Sequence, residues 1–198
     1  MKTAIIGASA EALHTIKKAQ EQGLEVLALD GDPMAAGLKA ADGAIVADIA
    51  DEELVIEILK REKPDFLLSV PIGRYLTTTG GANDALGLPG ISREMAVLCT
   101  DKLKFHERLH EAGLRQCWCC EWDGNIARKN GTVIGEAGIE KGEGRGVEDF
   151  LREQAVRFPA ILKPRYGSGS RGIHMVYDED QFKKALKETS GEPYVVEE

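Results

Sequence analysis

No apolar run in this 198-residue sequence is long enough to span a bilayer, and the opening "KTAIIGASA" is too short, and wrongly flanked, for a signal-peptide core. Basic residues do not predominate either. Lys and Arg number 25 against 33 Asp and Glu, a formal charge of −8, and no basic patch stands out. Such a field repels a nucleic-acid backbone or an anionic membrane, so neither is expected as a partner. Only four cysteines occur, and Cys117, Cys119 and Cys120 around Trp118 fit neither a secreted disulfide framework nor a CxxC pair. Reduced thiols and a cytoplasmic location are expected. Two nucleotide motifs are missing: "GASAEA" has one glycine where GxGxxG has three, and no GxxxxGK is present. What remains is ordinary globular composition, 43% hydrophobic, with no internal repeat.

The first half alternates strand and helix patterns. "TAIIGASA" reads as a buried strand turning at Gly7, "EALHTIKKAQEQG" as a helix, "LEVLALDGDP" and "GAIVAD" as strands, "DEELVIEILKREK" as a helix, and "PDFLLSV" as a fourth strand stopping at Pro71. Such alternation predicts an open parallel sheet. "GRYLTTTGGANDALGLPGIS", rich in glycine and hydroxyls, is expected as a loop at the carboxyl edge of that sheet, where ligands of open α/β folds bind. "SREMAVLCTDKLKFHERLHEAG" reads as helix broken near Thr100-Asp101, with Asp101 capping the second piece.

Past Gly113 the pattern turns to strands. "RQCWCCEW" is strand-like, Asn130-Gly131 in "IARKNGTVIG" is a hairpin signal, and "EAGIEKGEGRG" reads as a mobile loop. "VEDFLREQAVRF" reads as an amphipathic helix, "PAILKP" and "GIHMVYD" as strands, "EDQFKKALKETSG" as a helix and "EPYVVEE" as a last strand.

Three constellations carry chemistry. Gly7 followed by Asp30 is a weak match to a dinucleotide fingerprint, read better, for want of the other two glycines, as an architectural turn. His106 and His110 share a helix face near the cysteines, but adjacent cysteines on a strand face opposite ways, so no metal site is assigned. The informative stretch is "FPAILKPRYGSGSRGIHMV". A strand delivers Lys163 to its end, and Gly167, Gly169 and Gly172 free the backbone to aim amide hydrogens into one concavity. Ser168 and Ser170 add hydroxyl donors, and Arg171 adds charge. Small side chains leave the loop from Tyr166 to Arg171 without anchors until a phosphate arrives.

The order "CTDKLKFHERLHEAGL", "FPAILKPRYGSGSRGI", "PYVVEE" resembles the ATP-grasp superfamily, in its carbamoyl-phosphate-synthetase-like and amino-acid-ligase-like members. "LALDGDPMAAGLKAADGAIVADIAD" and "ALGLPGIS" are similar to their preceding domain. The resemblance implies an open parallel Rossmann-like, pre-ATP-grasp sheet over 1–98, then a partial α+β ATP-grasp lobe over 99–198. It makes Lys102 and Lys163 the phosphate-contacting lysines and Gly167 to Gly172 the loop folded over ATP. Glu197 becomes the hinge acid at the adenine amino group, with Glu198 offering backbone contacts beside it.

The implied activity is an ATP-dependent carboxylate–amine ligase working through an acyl phosphate, with Mg2+ held by a second lobe expected after Glu198. The chain therefore reads as the amino-terminal portion of such an enzyme, inactive by itself, with "PYVVEE" an open edge. Arg74 is the candidate for a substrate carboxylate, helped by Thr77 to Thr79, although a loop arginine is ordinarily solvated. Expected partners are a small-molecule carboxylate and an amine, and a homodimer is compatible. Two alternatives come from other classes: a non-catalytic nucleotide-binding or assembly module, and an NAD-dependent oxidoreductase resting on Gly7 and Asp30. The segment 117–146 is longer than the family's usual connection and has no assigned role.

Overall fold

The computed structural model describes residues 1–70, 72–114, 118–122, 127–129, 132–134, 150–152, 154–167, 169–189 and 193–198, with backbone alone for 127–129 and 132–134. The chain forms two compact units, Met1–Thr100 and Asp101–Glu198. Among the described residues no helix is long and apolar enough to cross a membrane.

In the first unit β1 (Lys2–Ile6), β2 (Glu25–Asp30), β3 (Gly43–Val46) and β4 (Phe66–Leu68) form a parallel sheet in the order β3-β2-β1-β4, as the alternation predicts. The unbroken apolar runs of β1 and β2 fit strands covered on both faces. Ile16 and Ala19 of α1 (Leu13–Glu21) pack with Ile5 and Val26 on one side. On the other side Val55 and Leu59 of α3 (Glu52–Glu62) pack with Ala4, Ile6, Leu27 and Leu29. Between them in sequence, α2 (Ala36–Ala40) buries Leu38 against Ala8 and Ala28.

The stretch after β4 corrects the sequence reading. It is not a loop: a 3-10 turn at Gly73–Tyr75 leads into α4 (Leu76–Leu86), followed by α5 (Arg93–Thr100). Its glycines serve close approach. A Cβ on Gly80 would lie 2.6 Å from the Ser92 carbonyl oxygen and 2.7 Å from Arg93 Cα, so the two helices meet backbone to backbone. Thr78 and Thr79 face inward as well. The Thr78 hydroxyl donates to the Ile49 carbonyl, Thr79 is buried, and Thr77 donates to the Arg74 carbonyl within its own turn. Pro71 lies outside the described residues.

The second unit is one antiparallel sheet in the order β7-β6-β5-β10-β8-β9. Its strands are β5 (Cys119–Trp122), β6 (Ala127–Lys129), β7 (Thr132–Ile134), β8 (Ala160–Pro164), β9 (His174–Val176) and β10 (Tyr194–Glu197). Helices α6 (Lys102–Glu111) and α7 (Glu179–Lys187) complete it. The expected β6–β7 pairing is present, but its Asn130-Gly131 turn and residues 136–146 lie outside the described residues. Of the helix expected over 147–158, residues 150–152 are helical and 154–158 are not, a correction to the expected length, while 147–149 and 153 are not described.

A second correction concerns the last strand. β10 is not an open edge: it pairs with β5 on one side and β8 on the other along its whole length. Position in the sheet follows pairing, not chain order, and all four β10 residues are buried, as a central strand requires. The outer strands are β7 and β9.

Candidate functional site

The side-chain period of two sorts the three central strands of the second unit into a core face and a polar face. Cys120, Leu162, Tyr194 and Val196 join Phe150 and, from α7, Phe182 and Ala185 in an apolar core. Their neighbours in sequence point the opposite way. Glu121 of β5, Lys163 of β8 and Glu197 of β10 therefore share one face, with Val195 opposite both Glu121 and Lys163. Leu103 of α6 packs there on Cys119 and Val195, so the helix carrying Lys102 lies over the charged face.

Glu197 is the centre of one cluster. Its carboxylate accepts from Lys163 Nζ at 2.5 Å through one oxygen and from His106 Nε2 at 2.6 Å through the other. Burial alone would raise this acid, but the His106 and Lys163 hydrogen bonds and the lysine charge outweigh it and hold the carboxyl at about 2. His106, one turn after Lys102 on α6, is buried, and its Nδ1 has no hydrogen-bond partner among the described residues. Glu198 is exposed.

Lys102 is brought to the glycine loop. Its Nζ donates to the Gly167 carbonyl at 3.0 Å, and its backbone N–H donates to the Arg165 carbonyl. Burial, and then repulsion from Lys163, push its ammonium below the usual lysine range. The loop itself has left-handed backbone at Gly167, Gly169, Ser170 and Gly172, with φ of 132°, 71°, 56° and 70°. Gly169, Ser170 and Arg171 are exposed, Gly172 sits where a Cβ would meet Pro164 and the Tyr194 hydroxyl, and Ser168 lies outside the described residues. The Lys102 ammonium and a run of turned backbone amides thus meet beyond the end of β8, with Lys163 near enough to repel Lys102, an arrangement suited to phosphate oxygens.

A second cluster was missed from sequence. Arg165 is buried and grips Asp101 through both ends of its fork, at 2.8 and 2.6 Å, while its remaining nitrogen meets Glu121 at 2.5 Å. Asp101 also caps α6, accepting from the N–H groups of Leu103 and Lys104. Burial would raise the Asp101 carboxyl, but the Arg165 bonds and the cap hold it below the ordinary range. The same acids push the Arg165 guanidinium above its ordinary value. Arg165 therefore ties the helix start that presents Lys102 to the strand end that presents Lys163. Strand alternation carried the signal: Glu121 falls between Cys120 and Trp122, on the face opposite the core.

The first-unit candidates behave differently. Both Asp30 oxygens accept backbone N–H groups, from Ala8 and from Asp32, and a Cβ on Gly7 would collide with Ile72. These residues hold the β1 turn. Arg74 lies on the turn before α4 with its guanidinium 5.3 Å from the Tyr75 ring centroid. His110 is exposed, Cys119 and Cys120 face opposite sides of β5, and Cys117 lies outside the described residues. Among the described residues no group of three His, Cys, Asp or Glu side chains is arranged to hold a metal ion.

No family model matches the chain. In sequence it is 24% identical over 181 residues to the carbamoyl phosphate synthase large chain of Pseudomonas syringae pv. tomato, covering 89% of this chain and 15% of that protein. It is 22% identical over 208 residues to the formate-dependent phosphoribosylglycinamide formyltransferase of Methanocella arvoryzae, covering all of this chain and 42% of that one. Among solved structures, the N5-carboxyaminoimidazole synthetase of Staphylococcus aureus complexed with ADP superimposes with a TM-score of 0.74 at 17% identity, over 100% of this chain and 47% of that one. The L-amino acid ligase of Bacillus licheniformis gives 0.70 at 19% identity, over 99% and 43%. The chain spans less than half the length of each of these proteins. Their likeness runs over nearly the whole chain, in sequence and in fold: the chain is similar to the amino-terminal part of ATP-grasp enzymes.

Proposed function

We propose that the second unit binds ATP and that the chain is the nucleotide-binding part of an ATP-dependent ligase. The observation that carries this reading is the Lys102 ammonium on the Gly167 carbonyl of the glycine loop, with a second lysine, Lys163, near enough to repel it. Phosphate oxygens relieve the repulsion between two cations and supply acceptors for the loop amides, so polyphosphate is favoured over an uncharged ligand. The Glu197 carboxylate is engaged by Lys163 and His106. Its contribution to the adenine edge is therefore through its backbone and that of Glu198, while its side chain holds Lys163.

The reaction proposed for the whole enzyme is transfer of the ATP γ-phosphoryl to a carboxylate, then displacement of phosphate from the acyl phosphate by an amine. Lysine charge on the phosphates serves that first step by offsetting charge on the transferring group. Mg2+, expected from the resemblance, meets no fitting set of ligands among the described residues. Arg74 is retained as a candidate for the substrate carboxylate. The NAD reading is weakened by Asp30, whose oxygens already serve the β1 turn.

Thermal unfolding with added ATP, NAD or adenosine tests the proposal. ATP should raise the midpoint more than NAD, and Lys163→Ala should remove most of that rise. Equal shifts with NAD, or full protection retained by Lys163→Ala, would overturn it.

A further inference from the structure

We infer that His106 is a positioning residue for nucleotide binding, acting through Glu197 on the Lys163 ammonium; the inference rests on the ATP reading and assigns its site an additional member. His106 is the fourth residue after Lys102, so α6 presents both on one side. Lys102 reaches the glycine loop and His106 reaches Glu197, so a single helix holds both lysines of the site, one directly and one through the acid.

The carboxylate has two oxygens and the cluster uses them separately. Lys163 takes Oε1 and His106 takes Oε2. A bond to Oε2 fixes the plane of the carboxylate, and that plane sets where Oε1 holds the ammonium. Without it the carboxylate loses a restraint on its plane, and more of its charge falls on the Lys163 ammonium, for which it then competes with phosphate.

Burial argues the same way. His106 is 6% exposed, and its Nδ1 has no partner among the described residues. A buried imidazole with an unpaired nitrogen is a poorer core residue than leucine, since the unpaired group loses its hydration without compensation. Its contribution lies in the Nε2 bond. That bond requires a proton on Nε2.

The test is calorimetric titration of the full chain with ATP and, separately, with adenosine, for wild type, His106→Leu and His106→Gln. Glutamine places an N–H donor near the Nε2 position; leucine fills the space without one. The expected result is an ATP affinity about tenfold weaker in His106→Leu, the size of one charge-assisted hydrogen bond, with adenosine affinity unchanged and most of the loss recovered in His106→Gln. A merely structural histidine would weaken both ligands together, and that outcome overturns the inference, as does an unchanged His106→Leu or a glutamine variant that recovers nothing. If wild type binds no ATP, the functional proposal fails instead. The positioning contact is then decided without nucleotide, by long-range 1H–15N spectra of wild type and Lys163→Ala. An Nε2–H tautomer whose resonances shift in Lys163→Ala upholds the contact; an Nδ1–H tautomer, or no shift, overturns it. The same spectra decide the matter if His106→Leu does not fold.

Discussion

Glu197 shows how a few side chains set the properties of the site. Its carboxyl lies at about 2 against an ordinary 4.5, so its folded value is depressed. An acid so shifted contributes stability that is fully present above the unfolded value and is lost as pH falls through the folded one, here from about 4.5 toward about 2. Glu197→Gln should therefore lower the denaturant midpoint clearly at about pH 7 and much less at about pH 3. A gap that does not change with pH would contradict the cluster as described. Lys163 was a candidate from the sequence itself, at a strand end before a glycine loop, whereas Lys102 and Glu197 were named only through the family resemblance. His106 and Arg165 were not read as partners of these residues, because which acid a buried cation meets is decided by strands far apart in the chain. Arg165 and Glu121 are 44 residues apart, yet bonded.

Among the elements, α4 and α6 give opposite lessons. The break before α6 was readable because capping is local: Asp101 accepts from Leu103 and Lys104 within its own turn. The glycines of α4 misled because their use is tertiary. Placing alanine at Gly80 gains about 1 kcal/mol of helix propensity, but its Cβ would press on Ser92 and Arg93 backbone, where overpacking costs about 1–3 kcal/mol. Gly80→Ala should be net destabilising in chemical denaturation. Gly81→Ala should be much milder, since its Cβ would meet the movable end of Glu52. Equal effects at the two positions would show that α4 and α5 do not touch as described. Asp101 carries a heavier load. Asp101→Ala removes a helix cap and leaves the buried Arg165 without its bidentate partner, a loss of about 3–5 kcal/mol. Denaturant unfolding that finds less than about 1 kcal/mol would refute the buried pair, because a surface ion pair contributes no more than that. The central place of β10 was not legible, because no local signal in "YVVE" says which strands will flank it.

At the scale of the whole molecule the chain is two units, a parallel sheet with helices on both faces and an antiparallel sheet whose polar face carries the candidate site. The parallel class was legible from alternation alone, since strands joined by helices leave few other topologies. The central claim is that ATP binds the second unit through Lys102, Lys163 and the glycine loop, and the most direct measurement is amide hydrogen exchange with and without ATP. Phosphate oxygens taking up the loop amides should slow exchange at Gly169 to Gly172, and adenine against the hinge should slow it at Glu197 and Glu198, with both effects lost in Lys163→Ala. The turn from Gly7 to Ser9 and the stretch around Asp30 should exchange as before. Protection appearing at Gly7 and Asp30 while the glycine loop is unchanged would contradict the account.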